Sequence, residues 1–135
     1  MQKEFVKSFH PLKPDSKLLV LGAGFSGQRV ANVVKALGTE VICSRRNIKS
    51  QGADMEFDSN KQDLPTIDSL KNITHVLSCI PPLANGEDPV ITKLLKHLQE
   101  MPLQWVGYLS TTGVYGDSKG AWVTEKDIPT PQQPR

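Results

Sequence analysis

Cysteine is scarce in this chain of 135 residues: there are two, Cys43 and Cys79, each inside an apolar stretch. That excludes a disulfide framework, and a thiol in such a stretch ordinarily behaves as a small core hydrophobe. Histidine is nearly as rare, and His10, His75 and His97 are nowhere paired at the spacing of metal ligands, so no metal site is expected. Long apolar runs are missing too. Nothing approaches the ~20 residues that cross a bilayer, and the opening MQKEFVKSFHPLKPD has no apolar signal core. No membrane partner is expected, and the expected location is cytoplasmic. Charge of one sign is not in excess, with 16 Lys plus Arg against 14 Asp plus Glu and no basic cluster longer than Arg45-Arg46. A nucleic-acid footprint, which gathers basic residues on one face, is therefore not expected. What remains, 38% hydrophobic and 22% charged residues, is an ordinary globular composition at the length of one domain or a piece of one.

Proline is absent from Ser16 to Leu64. Within that window an apolar run, LLVLG, leads through a glycine cluster into a helical pattern and then a second apolar run, EVICS, which is the signature of a βαβ unit. The helical stretch carries Val30, Val34 and Leu37 at i, i+4 and i+7, and Gly38 stands where a left-handed residue closes a helix. Further on, ADMEF and THVLSCI read as strands, the latter nearly continuous in apolar residues as a strand covered on both faces tends to be. Asp88-Pro89 supplies a helix cap and a first-turn proline ahead of Ile91, Leu94, Leu95 and Leu98. WVGYLS reads as a last strand. The predicted elements are strands at 17–22, 40–44, 53–57, 74–80 and 105–110, with helices at 26–37 and 88–100. Right-handed crossovers then favour an α/β fold, a Rossmann-type doubly wound parallel sheet of about five strands in the order 3-2-1-4-5. Residues 1–16 read as an N-terminal arm whose Phe5 and Phe9 dock on the body, 17–116 as a single dinucleotide-binding domain, and 117–135 as an extended proline-rich tail.

The segment Gly22-Ala23-Gly24-Phe25-Ser26-Gly27 matches G-x-G-x-x-G between a predicted strand and a predicted helix, the context that gives the motif its meaning. Gly22 permits the sharp turn, Gly24 lets a pyrophosphate approach the backbone, and Gly27 lets the helix pack against the sheet. Free amides at the helix start, around Phe25 and Ser26, would face the phosphates. The end of the second strand ordinarily selects the cofactor: an acid holds the ribose of NAD, and a base accommodates the extra phosphate of NADP. The corner here is Ser44-Arg45-Arg46, with no acid, so NADP is expected in preference to NAD. Asp58 accepts from an adenine amino group or else caps the following loop. Ile80 and Pro81, closing the fourth strand, are placed at the cofactor, while Pro81-Pro82 either rigidify the crossover at the ligand crevice or simply end the strand.

After the fifth strand comes Ser110-Thr111-Thr112-Gly113-Val114-Tyr115-Gly116. This segment, with the glycine loop and the later GAWVTEKDIPTPQQPR, resembles the extended short-chain dehydrogenase/reductase superfamily, and in particular its NAD(P)-dependent epimerase/dehydratase and atypical nucleoside-diphosphate-sugar-epimerase-like members. Extended members usually begin G-x-x-G-x-x-G. Leu21 replaces the first of those glycines, which gives the form seen in atypical members. The resemblance implies that Thr111, four positions before Tyr115, sits against a reacting carbonyl, with Thr112 beside it as a second candidate. A threonine there positions an oxygen by hydrogen bonding and needs another group to move the proton. The family's acid/base group is a Tyr-x-x-x-Lys pair on a helix. Tyr115 and Lys119 have that spacing, but GDSKG reads as a glycine-flanked turn.

The expected function is therefore the NAD(P)-binding domain of an epimerase/dehydratase-like oxidoreductase, acting when complete on a nucleotide-sugar or similar carbonyl or hydroxyl substrate. At 135 residues the chain reads as truncated, resembling the N-terminal half of a family member without the acid/base helix and substrate domain. The alternative is a non-catalytic dinucleotide sensor or regulatory module. The unpaired apolar edge of the fifth strand is a template for self-association.

Overall fold

A computed structural model of the chain describes residues 10–65 and 67–132, with Ile67 and Ser69 described by backbone alone. The expected docking of Phe5 and Phe9, and the last three residues of the tail, lie outside this range. Five strands form one parallel sheet: β1 (Lys17–Leu21), β2 (Glu40–Arg45), β3 (Met55–Glu56), β4 (His75–Ser78) and β5 (Trp105–Tyr108), in the order β3-β2-β1-β4-β5. Helix α1 (Phe25–Ala36) connects β1 to β2, and α2 (Pro89–Gln99) connects β4 to β5. The order is the doubly wound one expected from the sequence. Among the described residues no helix is long and apolar enough to cross a membrane.

Strand alternation divides the core into two layers. Leu19 and Leu21 of β1 face α2, where they meet Met55, Phe57, Val76, Val90, Leu94 and Leu98. Leu18 and Val20 face α1 with Val41, Cys43, Leu77 and Ala31. The central strand is thus buried on both faces, which is why its sequence is unbroken by polar residues. Each fully buried leucine contributes about 1.5–3 kcal/mol relative to exposure.

Four of the strands are shorter than their expected spans while β2 runs one residue past its expected end, and the ladder continues beyond the strand ends. Cys79 N–H donates to Leu21 C=O at 2.8 Å, Leu109 to Ser78 at 2.9 Å and Phe57 to Arg45 at 2.9 Å. Both helical stripes are displaced from those expected. On α1 the buried positions are Gly27 and Ala31 with Val34 beside them, while Val30 is exposed. Close packing on the sheet selects the smallest side chains and leaves Val30 at the margin. On α2 the buried line is Val90, Leu94 and Leu98, so Ile91 and Leu95 face outward.

The segment after β5 forms a short 3-10 turn, Thr112–Tyr115, closed by Gly116 at φ 66°. The chain then loops out through Trp122, which is 99% exposed, and returns to bond at Thr130, whose N–H donates to Val114 C=O at 2.9 Å and whose hydroxyl donates to Tyr115 C=O at 2.8 Å. Thr130 packs so tightly over Gly116 that no Cβ would fit there.

Leu94, with no exposed surface, and Ile91, 59% exposed, sit on one helix and differ in what surrounds them. Leu94→Ala is expected to lower unfolding free energy by about 2–5 kcal/mol and Ile91→Ala by less than about 0.5 kcal/mol. Urea denaturation of the two variants checks the difference.

Candidate functional site

The carboxyl ends of β1, β2 and β4 meet at the glycine loop. β1 ends at Leu21, and Gly22 turns the chain at φ 74°, where a Cβ would stand 2.7 Å from Ile80 Cγ1. A left-handed backbone and the Ile80 side chain each exclude other residues. Gly27 is similarly confined: a Cβ would lie 3.1 Å from Val20 Cγ1 and 3.2 Å from Cys79 Sγ. Gly24 is different, with only the Gly22 carbonyl near it, at 3.9 Å. Its missing side chain leaves open space in front of the loop.

The two helix starts on this edge of the sheet contrast sharply. At α2 the Asp88 carboxylate accepts from Val90 N–H at 2.8 Å and Ile91 N–H at 3.2 Å, so the helix closes its own amides. At α1 the cap is Gly24, which has no side chain to close the first turn, and that turn holds no acid. The exposed amides and the positive end of the helix dipole there suit an anion. Phe25 projects outward, 77% exposed, with the Arg29 guanidinium 4.3 Å from its ring centroid. Ser26 is exposed beside it.

At the β2 corner the three expected residues separate. Ser44 is fully buried, its hydroxyl accepting from Gly22 N–H at 3.1 Å and its carbonyl from Ala23 N–H at 2.8 Å. The strand continues through Arg45, so alternation turns Ser44 inward. Its hydroxyl supports the loop from beneath instead of reaching out to a ribose. Arg45 is half-buried, donating from Nη1 to Gln51 C=O at 2.9 Å, and Arg46 is exposed. Asp58 Oδ1 accepts from Asn60 N–H at 3.0 Å, which is the loop-capping arrangement.

A cavity of about 460 Å³ opens at the ends of β4 and β5, lined by Cys79, Pro81, Pro82, Asp88, Tyr108, Leu109, Ser110 and Thr111. Thr111 is thereby brought to the cavity, its Oγ1 accepting from Gly113 N–H at 3.2 Å; Thr112 begins the 3-10 turn and does not line it. Asp88 and Tyr108 were not singled out as cavity residues from the sequence. Alternation along β5 carries the only available signal, since Tyr108 is the residue opposite Ser78 in the ladder. Burial pushes the Cys79 thiol up, and burial with the nearby Asp88 pushes the Tyr108 phenol up. Both stay protonated at neutral pH, so neither serves as a base there. Tyr115 and Lys119 are parted by Gly116 and by a left-handed Lys119 at φ 53°, so their spacing does not place them on one helical face.

No family model matches the sequence, and no curated protein matches it. Solved structures do. A functionally unknown conserved protein from Silicibacter pomeroyi DSS superposes with a TM-score of 0.63 at 32% identity, over 88% of this chain and 44% of that one. A protein assigned as a NAD-dependent epimerase/dehydratase from Methylobacillus flagellatus gives 0.67 at 26% identity, over 87% and 45%. By fold and sequence the chain resembles the N-terminal part of the NAD-dependent epimerase/dehydratases. MoeE5, solved in complex with UDP-glucose and NAD, gives a TM-score of 0.59 at 26% identity, over 88% of this chain and 44% of its own. The chain spans less than half the length of each of these neighbours.

The link between Ser44 and Gly22 ties an epimerase/dehydratase-like glycine loop to its neighbouring strand. Ser44→Ala leaves the part-buried Gly22 amide without its acceptor and is expected to cost about 1 kcal/mol, with Ser44→Thr recovering part of it. Chemical denaturation of both variants measures this.

Proposed function

We propose that the chain is the dinucleotide-binding domain of an epimerase/dehydratase-like oxidoreductase, and that it takes NADP in preference to NAD. The observation that carries this reading is the uncapped start of α1 behind Gly24, set against the self-capped start of α2. The donor set fits a pyrophosphate: backbone amides, a helix dipole and open space where a Cβ would otherwise stand. The MoeE5 complex, which contains NAD and UDP-glucose, supports the same reading and a nucleotide-sugar or related substrate. The sensor alternative has no observation of its own in its favour.

Gly22, Gly24, Phe25, Ser26 and Gly27 hold the pyrophosphate in this reading, with Ile80 and Pro81 bounding the crevice next to the loop. Arg45 and Arg46 form the basic corner for the 2′-phosphate. When bound, the dinucleotide supplies hydride transfer. Thr111 orients a substrate oxygen at the cavity mouth by donating its hydroxyl proton in a hydrogen bond, while Tyr108 and Cys79, protonated, leave proton transfer to other groups. Two free thiols, Cys43 and Cys79, fit the reducing cytoplasm.

The outer edge of β5 is the second feature with a partner in view. Trp105, Val106, Tyr108 and Leu109 are all exposed along it, and an open apolar edge pairs with another strand. We place a second copy of the chain there.

Two measurements test these readings. Titration calorimetry is expected to give NADP an affinity roughly ten- to a hundredfold above that of NAD, the worth of one well-placed charge-assisted hydrogen bond. Equal affinities would remove the basic corner as a selector, and no binding of either would remove the dinucleotide reading. Sedimentation equilibrium is expected to show a concentration-dependent dimer that Val106→Lys shifts toward monomer; a monomer at every concentration would refute the edge contact.

A further inference from the structure

We propose that Asp88 determines specificity at the cavity beside Thr111, admitting uncharged, hydroxyl-bearing rings and excluding rings that carry a carboxylate or a phosphate. The proposal rests on that cavity being the substrate site of an epimerase/dehydratase-like enzyme, and it adds the charge class of the ring.

Local structure holds Asp88 at the cavity wall. The loop ahead of α2 is closed by Leu83 N–H donating to Glu87 C=O at 2.8 Å and by Gly86 N–H donating to Leu83 C=O at 2.9 Å, and Pro89 then starts the helix. Asp88 stands between them with an extended backbone, φ −82° and ψ 116°. Both of its bonds to helix amides, from Val90 and from Ile91, fall on the same oxygen, Oδ1. That pair of bonds sets the side chain's orientation, and Oδ2 takes no part in it. Capping alone does not call for a charge, since serine or asparagine closes a helix start about as well. What the carboxylate adds is a negative charge on the lining of the cavity.

No cation on that lining offsets it. The other residues there, among them Cys79, Tyr108, Ser110 and Thr111, include no Lys, Arg or His. Tyr108 registers the charge: after burial, the nearby Asp88 is what pushes its phenol up, because a neighbouring carboxylate disfavours the phenolate. A carboxylate or phosphate on a bound ring meets the same repulsion. A neutral ring does not, and its hydroxyls find an acceptor in the Asp88 carboxylate and donors in Tyr108, Ser110 and Thr111. The helix amides on Oδ1 soften the field without reversing its sign.

Cys79, on the same lining, is a probe already in place. Iodoacetamide and iodoacetate are nearly equal in size and differ in charge; with either, the thiolate sulfur attacks the methylene carbon and iodide leaves. Their rate ratio at Cys79, followed by mass spectrometry at mildly alkaline pH and divided by the same ratio for N-acetylcysteine, cancels the thiolate fraction and reads the charge of the cavity. The buried Cys43 is tracked on its own peptide. The wild-type chain is expected to favour iodoacetamide roughly three- to tenfold, and Asp88→Asn, which keeps an oxygen for the helix amides, to fall within about twofold of the free thiol. The same substitution is expected to move the Tyr108 titration, followed by NMR, to lower pH, with the unfolding midpoint as the control for folding. Methyl glucoside is expected to slow alkylation of wild-type Cys79 more than methyl glucuronide does, and Asp88→Asn to close that gap. A wild-type ratio equal to that of the free thiol, a ratio unchanged in Asp88→Asn, or equal protection by the two glycosides, including none by either, overturns the proposal. Calorimetry with NADP and NAD on the same samples separates it from the reading beneath: a chain that binds dinucleotide but alkylates without charge preference loses only the selector, and one that binds neither loses the substrate assignment together with the function.

Discussion

Burial of β1 on both faces governs the arrangement of everything around it. A strand with Leu18 to Leu21 enclosed above and below can satisfy its backbone only through neighbouring strands, and β2 and β4 supply that pairing on either side. The strand ends at Leu21, where the chain turns out of the sheet. Gly22 makes that exit, and the buried Ser44 hydroxyl receives its amide as it does so. The glycine loop is thus fixed from below by the same core that stabilises the sheet.

Most of the architecture was legible in the sequence because the signals were of long range and mutually consistent. Apolar runs of strand length, one uninterrupted helical stretch and an Asp-Pro helix start point to one topology, and the sheet order follows from crossover handedness. The burial of individual helix positions was less legible. Val30 looks like a core residue by type, and only the closeness of α1 to the sheet explains why Gly27 and Ala31 lie inward instead. The same holds on α2, where Ile91 and Leu95 satisfy a helical spacing that Val90, Leu94 and Leu98 satisfy equally well.

The site divides along a similar line. The three loop glycines were readable because each absence of a side chain has a distinct spatial reason, and those reasons recur here as a tight turn, an open front and a close helix contact. Ser44 reads from the sequence as part of an exposed corner, but β2 runs one residue further, so Ser44 lies within the ladder, buried, with its hydroxyl taken by Gly22 N–H. Gln28 Nε2 donates to Gly52 C=O at 3.0 Å, and this bond had no local signature: it joins residues 24 apart, and a glutamine in a helix gives no hint of its partner.

The contrast between the two helix starts gives the crevice a direction. Along one edge of the sheet the start of α1, whose first turn holds no acid, stands near Arg29, and toward β5 the start of α2 is shielded by the carboxylate of Asp88. An anionic group is therefore favoured at the α1 end of the crevice and disfavoured beside Asp88. Electrostatics thus distinguishes the two ends of the crevice before any shape is matched.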